Sequence, residues 1–213
     1  METETLAELE QSLREAADRD RPPEETPDVG IIMGSDSDLD VMMGSETGRP
    51  GAYDALTELG FAEQTAEHTP EERFTFETYV VSAHRTPGLM YTYAETAADR
   101  GLEVIIAGAG GKSADLPNMT ASIAYPLPVI GVPVQERSLP SVIGMPQGAP
   151  IVAVDAGKSF NAALSAVQIL ARKYPELDGR LVDYHETLKE DVATVSRDLH
   201  SMGTEAFKQQ RDG

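Results

Sequence analysis

The sequence predicts an α/β fold: a parallel sheet of about five strands with helices on both faces. Three observations lead there. Short apolar runs such as Val29-Gly30-Ile31-Ile32-Met33 lack polar alternation, as expected of strands covered on both sides. Helical patterns separate these runs, so strand and helix alternate about five times at short intervals with right-handed crossovers. The runs end in small polar or glycine-rich turns, which an open parallel sheet gathers at the carboxyl ends of its strands.

The elements follow in order. Leu6, Leu9 and Leu13 space an amphipathic helix over 4–19, predicted to pack on the domain or on a neighbouring subunit. Pro22, Pro23 and Pro27 mark a linker. The first strand, 29–33, ends at Gly34-Ser35-Asp36-Ser37-Asp38, and a short helix starts near Leu39. Residues 44–51 read as a loop, 52–59 as a helix, and 61–75 as a polar irregular stretch. A strand at 76–81 leads into Ser82-Ala83-His84-Arg85-Thr86-Pro87. Pro87 opens a helix to residue 100, with Gly101 as its C-cap. The strand at 104–107 runs into Gly108-Ala109-Gly110-Gly111-Lys112-Ser113. A helix at 116–124, a strand at 129–132, and a polar segment with a short helix at 136–144 come next. A fifth strand at 150–154 precedes a helix over 160–173, for which Ser159 is the expected cap. Residues 175–211 read as one long polar helix with an apolar stripe through Leu181, Tyr184, Leu188, Val192, Val195 and Leu199. Such a stripe needs a partner surface. The predicted organisation is an acidic helix and linker at 1–27, an α/β catalytic domain at 28–173 and a helical extension at 174–213.

Composition narrows the function. The 213 residues contain no cysteine, which excludes disulfides, thiolate metal sites and cysteine nucleophiles. The four histidines show no paired metal-ligand spacing. No apolar run approaches the roughly 18 residues of a membrane span, and the acidic N-terminus has no signal-peptide core. A cytoplasmic protein is expected. Asp plus Glu number 36 against 17 Lys plus Arg, a net charge of -19, which disfavours nucleic acid and anionic membranes as partners. The acids are spread along the chain and Lys is scarce, a surface suited to a cytoplasm of molar salt, where repulsion is screened within a few Å.

The strand-end turns carry the chemistry. His84 can move protons near neutral pH, and Arg85 can clamp a phosphate with its planar fork of donors. Gly34, Ser35, Ser37 and Asp38 offer amides, hydroxyls and a carboxylate for phosphate and sugar, more than helix capping requires. The glycine loop is neither a Walker A loop, which would need glycine at Ile106, nor a dinucleotide fingerprint, which should follow the first strand. Together the turns predict a small phosphorylated substrate with His84 as general acid/base.

At these turns the sequence resembles the class I N5-carboxyaminoimidazole ribonucleotide mutases of purine biosynthesis. Gly34–Asp38, Ser82–Pro87, Ile106–Gly111, Val129–Val134, Met145–Gly148 and Asn161–Leu164 match in family order over roughly residues 28–172. The resemblance implies a three-layer, flavodoxin-like α/β/α subunit, a homo-octamer, and no metal, nucleotide cofactor or ATP. It implies a functional link to an ATP-dependent N5-carboxyaminoimidazole ribonucleotide synthetase. It gives His84 the proton transfers and Ser35, Asp38 and Arg85 the ribose and phosphate. Ser82, Ala83, Gly108, Gly110, Gly111, Lys112 and Ser113 complete the expected substrate site. Two alternatives stay open: direct carboxylation of 5-aminoimidazole ribonucleotide by CO2, as in class II relatives, and a non-catalytic nucleotide-binding module.

Three departures stand out. Where class I relatives carry Ala-Ala-His-Leu-Pro-Gly-Met, this chain has Lys112-Ser113-Ala114-Asp115-Leu116-Pro117-Asn118-Met119, one residue longer, with Asp115 in place of His. The segment from Val134 to Met145 is shorter, and 44–75 holds extra sequence. A carboxylate at 115 facing the site would repel the substrate carboxylate by about 4 kcal/mol at about 4 Å and an effective dielectric near 20. Asp115 is therefore expected to turn away or to pair with a cation, Lys112 being nearest in sequence.

Overall fold

The computed structural model describes residues 5–45 and 48–211. Residue 4 of the first expected helix, Glu46 and Thr47 of the 44–51 loop, and the last two residues of the extension lie outside the described residues. The chain runs α1 (Leu6–Ala17), β1 (Val29–Met33), α2 (Leu39–Met42), α3 (Ala52–Glu58), β2 (Ala62–Glu63), β3 (Thr75–Val80), α4 (Pro87–Thr96) and β4 (Val104–Ala109). It continues through α5 (Leu116–Ile123), β5 (Val129–Pro133), α6 (Leu139–Ile143), β6 (Val152–Ala153), α7 (Ser159–Leu170), α8 (Pro175–Met202) and α9 (Thr204–Arg211).

The strands form one parallel sheet in the order β2-β3-β1-β4-β5-β6. This is the flavodoxin-like arrangement with one strand added at an edge. The described sheet thus has six strands rather than five. The extra one, β2, lies inside the stretch expected to be irregular and pairs only Ala62 with Thr75 and Glu63 with Phe76. Two residues carry no periodicity, so only the neighbouring β3 makes them a strand.

Alternating strand residues feed two cores, as full coverage requires. Val29, Ile31, Val104 and Ile106 pack with α3 and α7 on one face. Ile32, Ile105 and Ala107 pack with α4 and α5 on the other. Helix α1 belongs to this second layer. Thr5 and Glu8 close a capping box at its start. Leu13 is buried, and Arg14 Nη2 donates to Thr92 Oγ1 of α4 at 2.8 Å. Ser159, expected as the cap of α7, is instead its first residue, and its hydroxyl donates to the Val41 carbonyl at 2.5 Å.

The C-terminal helix breaks where one continuous helix was expected. Gly203 has φ +81°, a left-handed conformation that ends α8 before α9 begins. Leu177 is buried and Leu181 and Tyr184 pack on the core, whereas Val192, Val195 and Leu199 are exposed. No helix among the described residues is long and apolar enough to cross a membrane.

Asp28, just before β1, is 4% exposed. Its Oδ2 accepts the Thr75 N–H at 2.9 Å, and Arg73 stands 3.5 Å from Oδ1. Burial outweighs both and raises its carboxyl from 3.8 to about 6. Below about pH 4 the group is neutral whether folded or unfolded, so it imposes no penalty there. As pH rises through this window the unfolded chain ionises first and stability falls, by on the order of 3 kcal/mol in total. Asp28→Asn should therefore gain stability relative to wild type between pH 4 and 6, measured by denaturant unfolding at each pH. A difference that stays constant with pH would show that this carboxyl does not titrate in the window.

Candidate active site

The sheet changes direction at β1. The chain leaves β1 toward β3, then crosses back over β1 to β4. Ligands of open α/β sheets bind at the carboxyl ends of strands at such a point. A cavity of about 330 Å³ opens there, lined by the turns after β1, β3, β4 and β5.

The first turn supplies Gly34, Ser35, Ser37 and Asp38. Ser35 caps the short 3-10 turn at Asp36–Asp38, its Oγ accepting the Ser37 N–H at 3.3 Å. Asp36 Oδ1 accepts the same N–H at 3.0 Å, so capping accounts for two residues of the five, and Asp38 is left buried beside Gly34 and Gly110. Burial pushes its carboxyl above the usual range. The amides of Gly110 and Ser35 and the Arg85 charge pull the other way, and Asp36 adds to the rise.

The second turn supplies Ser82, Ala83, His84 and Arg85. It is fixed by the Thr86 hydroxyl, which accepts the Ser82 N–H at 3.0 Å, before Pro87 starts α4. Arg85 Nη2 donates to the Gly34 carbonyl at 2.8 Å, and its Nε donates to Ser82 Oγ at 3.3 Å. The guanidinium therefore ties the β3 turn to the β1 turn. His84 is 61% exposed at its side chain, accessible to a ligand, and its Nε2 lies 3.0 Å from Asp115 Oδ2.

From the third turn, Gly110, Gly111 and Ser113 line the cavity, but Gly108 and Lys112 do not. A Cβ on Gly108 would meet Met42 Sδ at 2.1 Å, so this glycine allows α2 to pack on β4. Fully buried Ala114 anchors the loop, with Ser113 and Asp115 toward the cavity and Lys112 exposed. Asp115 does not turn away, and the partner it finds is His84 rather than Lys112. Its other oxygen, Oδ1, accepts the Ser141 hydroxyl at 3.0 Å.

Gln135 and Arg137, which no sequence motif marks, also line the cavity. They follow β5, so the same strand-end rule that flagged the other turns applies to them. Arg137 Nε donates to Gln135 Oε1 at 2.5 Å.

A doubly wound α/β fold that gathers two guanidiniums, an imidazole and an amide- and hydroxyl-rich turn at its switch point is an enzyme for a small polar substrate. The AIR carboxylase family matches residues 52–191. The N5-carboxyaminoimidazole ribonucleotide mutase of Thermotoga maritima is 42% identical over 192 residues, 87% of this chain and 99% of that protein. That of Mycobacterium tuberculosis is 44% identical over 187 residues, covering 85% and 95%. That of Aquifex aeolicus is 48% identical over 161 residues, covering 73% and 83%. The chain belongs to the AIR carboxylase family. The crystal structure of Treponema denticola PurE shares the fold with a TM-score of 0.61, over 83% of this chain and 98% of that one, at 22% identity.

Proposed function

We propose that this protein converts N5-carboxyaminoimidazole ribonucleotide to 4-carboxy-5-aminoimidazole ribonucleotide in purine biosynthesis. The observation that carries the reading is the joining of His84, Arg85 and the Ser35–Asp38 turn in one cavity, in a chain 42–48% identical to proteins named as that mutase. Arg85, the Ser35 and Ser37 hydroxyls and the turn amides hold the phosphate. Buried Asp38 takes ribose hydroxyls. The N5–carboxylate bond breaks, N5 takes a proton from water, and CO2 stays in the cavity. C4 then attacks CO2, and His84 removes the C4 proton. One proton arrives at N5 from water, and the proton that leaves C4 passes through His84 back to water, so the isomerisation balances and His84 returns to its neutral starting state. No cofactor takes part.

The protein works as a cytoplasmic homo-oligomer, an octamer by family resemblance, in molar salt, and its substrate comes from an ATP-dependent synthetase. One experiment tests the reaction and the salt reading together. N5-carboxyaminoimidazole ribonucleotide is supplied in a bicarbonate-depleted assay across a KCl series, with sedimentation run in parallel. Turnover without bicarbonate is expected, with loss of assembly as KCl falls below the molar range. Product only from 5-aminoimidazole ribonucleotide plus excess bicarbonate would replace the mutase with a carboxylase. Full assembly at low salt would remove the salt-adapted reading alone.

A further inference from the structure

Asp115 occupies the N-cap position of α5 yet makes no side-chain capping bond. An aspartate there ordinarily accepts an N–H of the first turn. Here both carboxylate oxygens point elsewhere: Oδ2 to His84 Nε2 at 3.0 Å, and Oδ1 to the Ser141 hydroxyl at 3.0 Å. Ser141 is itself held, since Asn118 Nδ2 donates to its carbonyl at 2.5 Å. The chain Asn118–Ser141–Asp115–His84 therefore joins α5 and α6 to the turn after β3.

An ionised carboxylate only accepts hydrogen bonds, so His84 Nε2 must carry a hydrogen whenever it faces Asp115. A neutral imidazole has one N–H. Its other nitrogen, Nδ1, then holds the lone pair. We infer that Asp115, oriented by Ser141, is a positioning residue that fixes the tautomer of His84 and makes Nδ1 the atom that receives the substrate proton. This rests on the acid/base assignment of His84 in the proposed reaction. The C4–H bond breaks toward Nδ1, its electron pair returns to the aminoimidazole ring, and Nε2–H stays hydrogen-bonded to Asp115. The imidazolium so formed lies against a carboxylate, which offsets the new charge. The side chains of His84 and Asp115 are 61% and 41% exposed, so the pair adds little to stability, and its effect is on orientation.

The test uses the full-length protein with ring-¹⁵N-labelled histidine, the His84 signals being assigned by their loss in His84→Asn. Wild type should show His84 as the Nε2–H tautomer. Asp115→Asn, whose amide can donate as well as accept, should lose that bias. Its kcat should fall about ten- to a hundredfold, the usual scale for a lost orienting partner, with KM changed by less than about twofold. Asp115→Glu should recover part of the loss, and Ser141→Ala should lower kcat less, with the same split. An Nδ1–H tautomer in wild type, or unchanged kcat in Asp115→Asn, would overturn the inference. If Asp115→Asn fails to fold, the wild-type tautomer and the Ser141→Ala kinetics decide. Should wild type not convert the N5-carboxylated substrate, the proposed reaction fails, while the tautomer spectrum still judges the role of Asp115.

Discussion

His84→Asn is expected to lower kcat for N5-carboxyaminoimidazole ribonucleotide by a factor of about 10² or more, the usual scale for a lost general acid/base. Asparagine preserves much of the size of the ring, and its amide can still donate to Asp115. It cannot exchange a proton in the neutral range, so chemistry should fail while nucleotide binding largely survives. Arg85→Ala supplies the contrast. It removes a charge-assisted contact to phosphate, about 1.5–3 kcal/mol, and should raise KM roughly ten- to a hundredfold. Arg85 also tethers Ser82 to Gly34, so part of that loss reflects a looser turn. Steady-state kinetics with titration of the product nucleotide separates the two effects. Two variants that changed only affinity would remove His84 from the proton transfer.

The sequence made the strand-end turns legible because five small polar residues, Gly34–Asp38, exceed what capping needs, and His84-Arg85 follow a buried strand directly. It was less informative on the glycine loop. Gly108 and Gly110 look alike in sequence, but one lies under Met42 and the other beside Asp38 in the cavity. In a strand with two apolar faces, no polar alternation tells which glycine faces the ligand. The pairing of His84 with Asp115 spans 31 residues and exists only once α4 and α5 are packed together. Strand β2 is too short to leave a pattern. The break at Gly203 was hidden because helical spacing tolerates an isolated glycine, and only its positive φ reveals the end of α8. Charge inside the second core went unread for a related reason. Glu77 sits in a strand otherwise rich in β-formers, and Arg100 reads as the last residue of a helix, a position usually at the surface, whereas α4 ends at Thr96.

Removing Glu77 alone is expected to destabilise the fold by about 3–5 kcal/mol, because it leaves a buried guanidinium without its counter-charge. Arg100 is 2% exposed, and its Nη1 donates to Glu77 Oε1 at 2.5 Å. Its Nε donates to Thr96 Oγ1 at 3.2 Å, and the guanidinium lies 4.6 Å from the centre of the Tyr93 ring. Burial, with Glu77 adding to it, raises the Tyr93 hydroxyl well above its ordinary value, so the ring stays neutral beneath the pair. Glu77→Leu strands a cation that cannot lose its proton at neutral pH. Arg100→Met strands a carboxylate, which can instead take up a proton, so its loss should shrink as pH falls. The pair itself contributes less than either deletion suggests, since desolvation of two charges offsets most of their attraction. The double variant Glu77→Leu/Arg100→Met should accordingly recover most of the stability lost in Glu77→Leu. Denaturant unfolding at fixed protein and salt concentration gives the four values of the cycle. If Glu77→Leu unfolds within about 1 kcal/mol of wild type, water or another anion already compensates Arg100; a double variant no more stable than the worse single one would show that the loss does not come from a stranded charge.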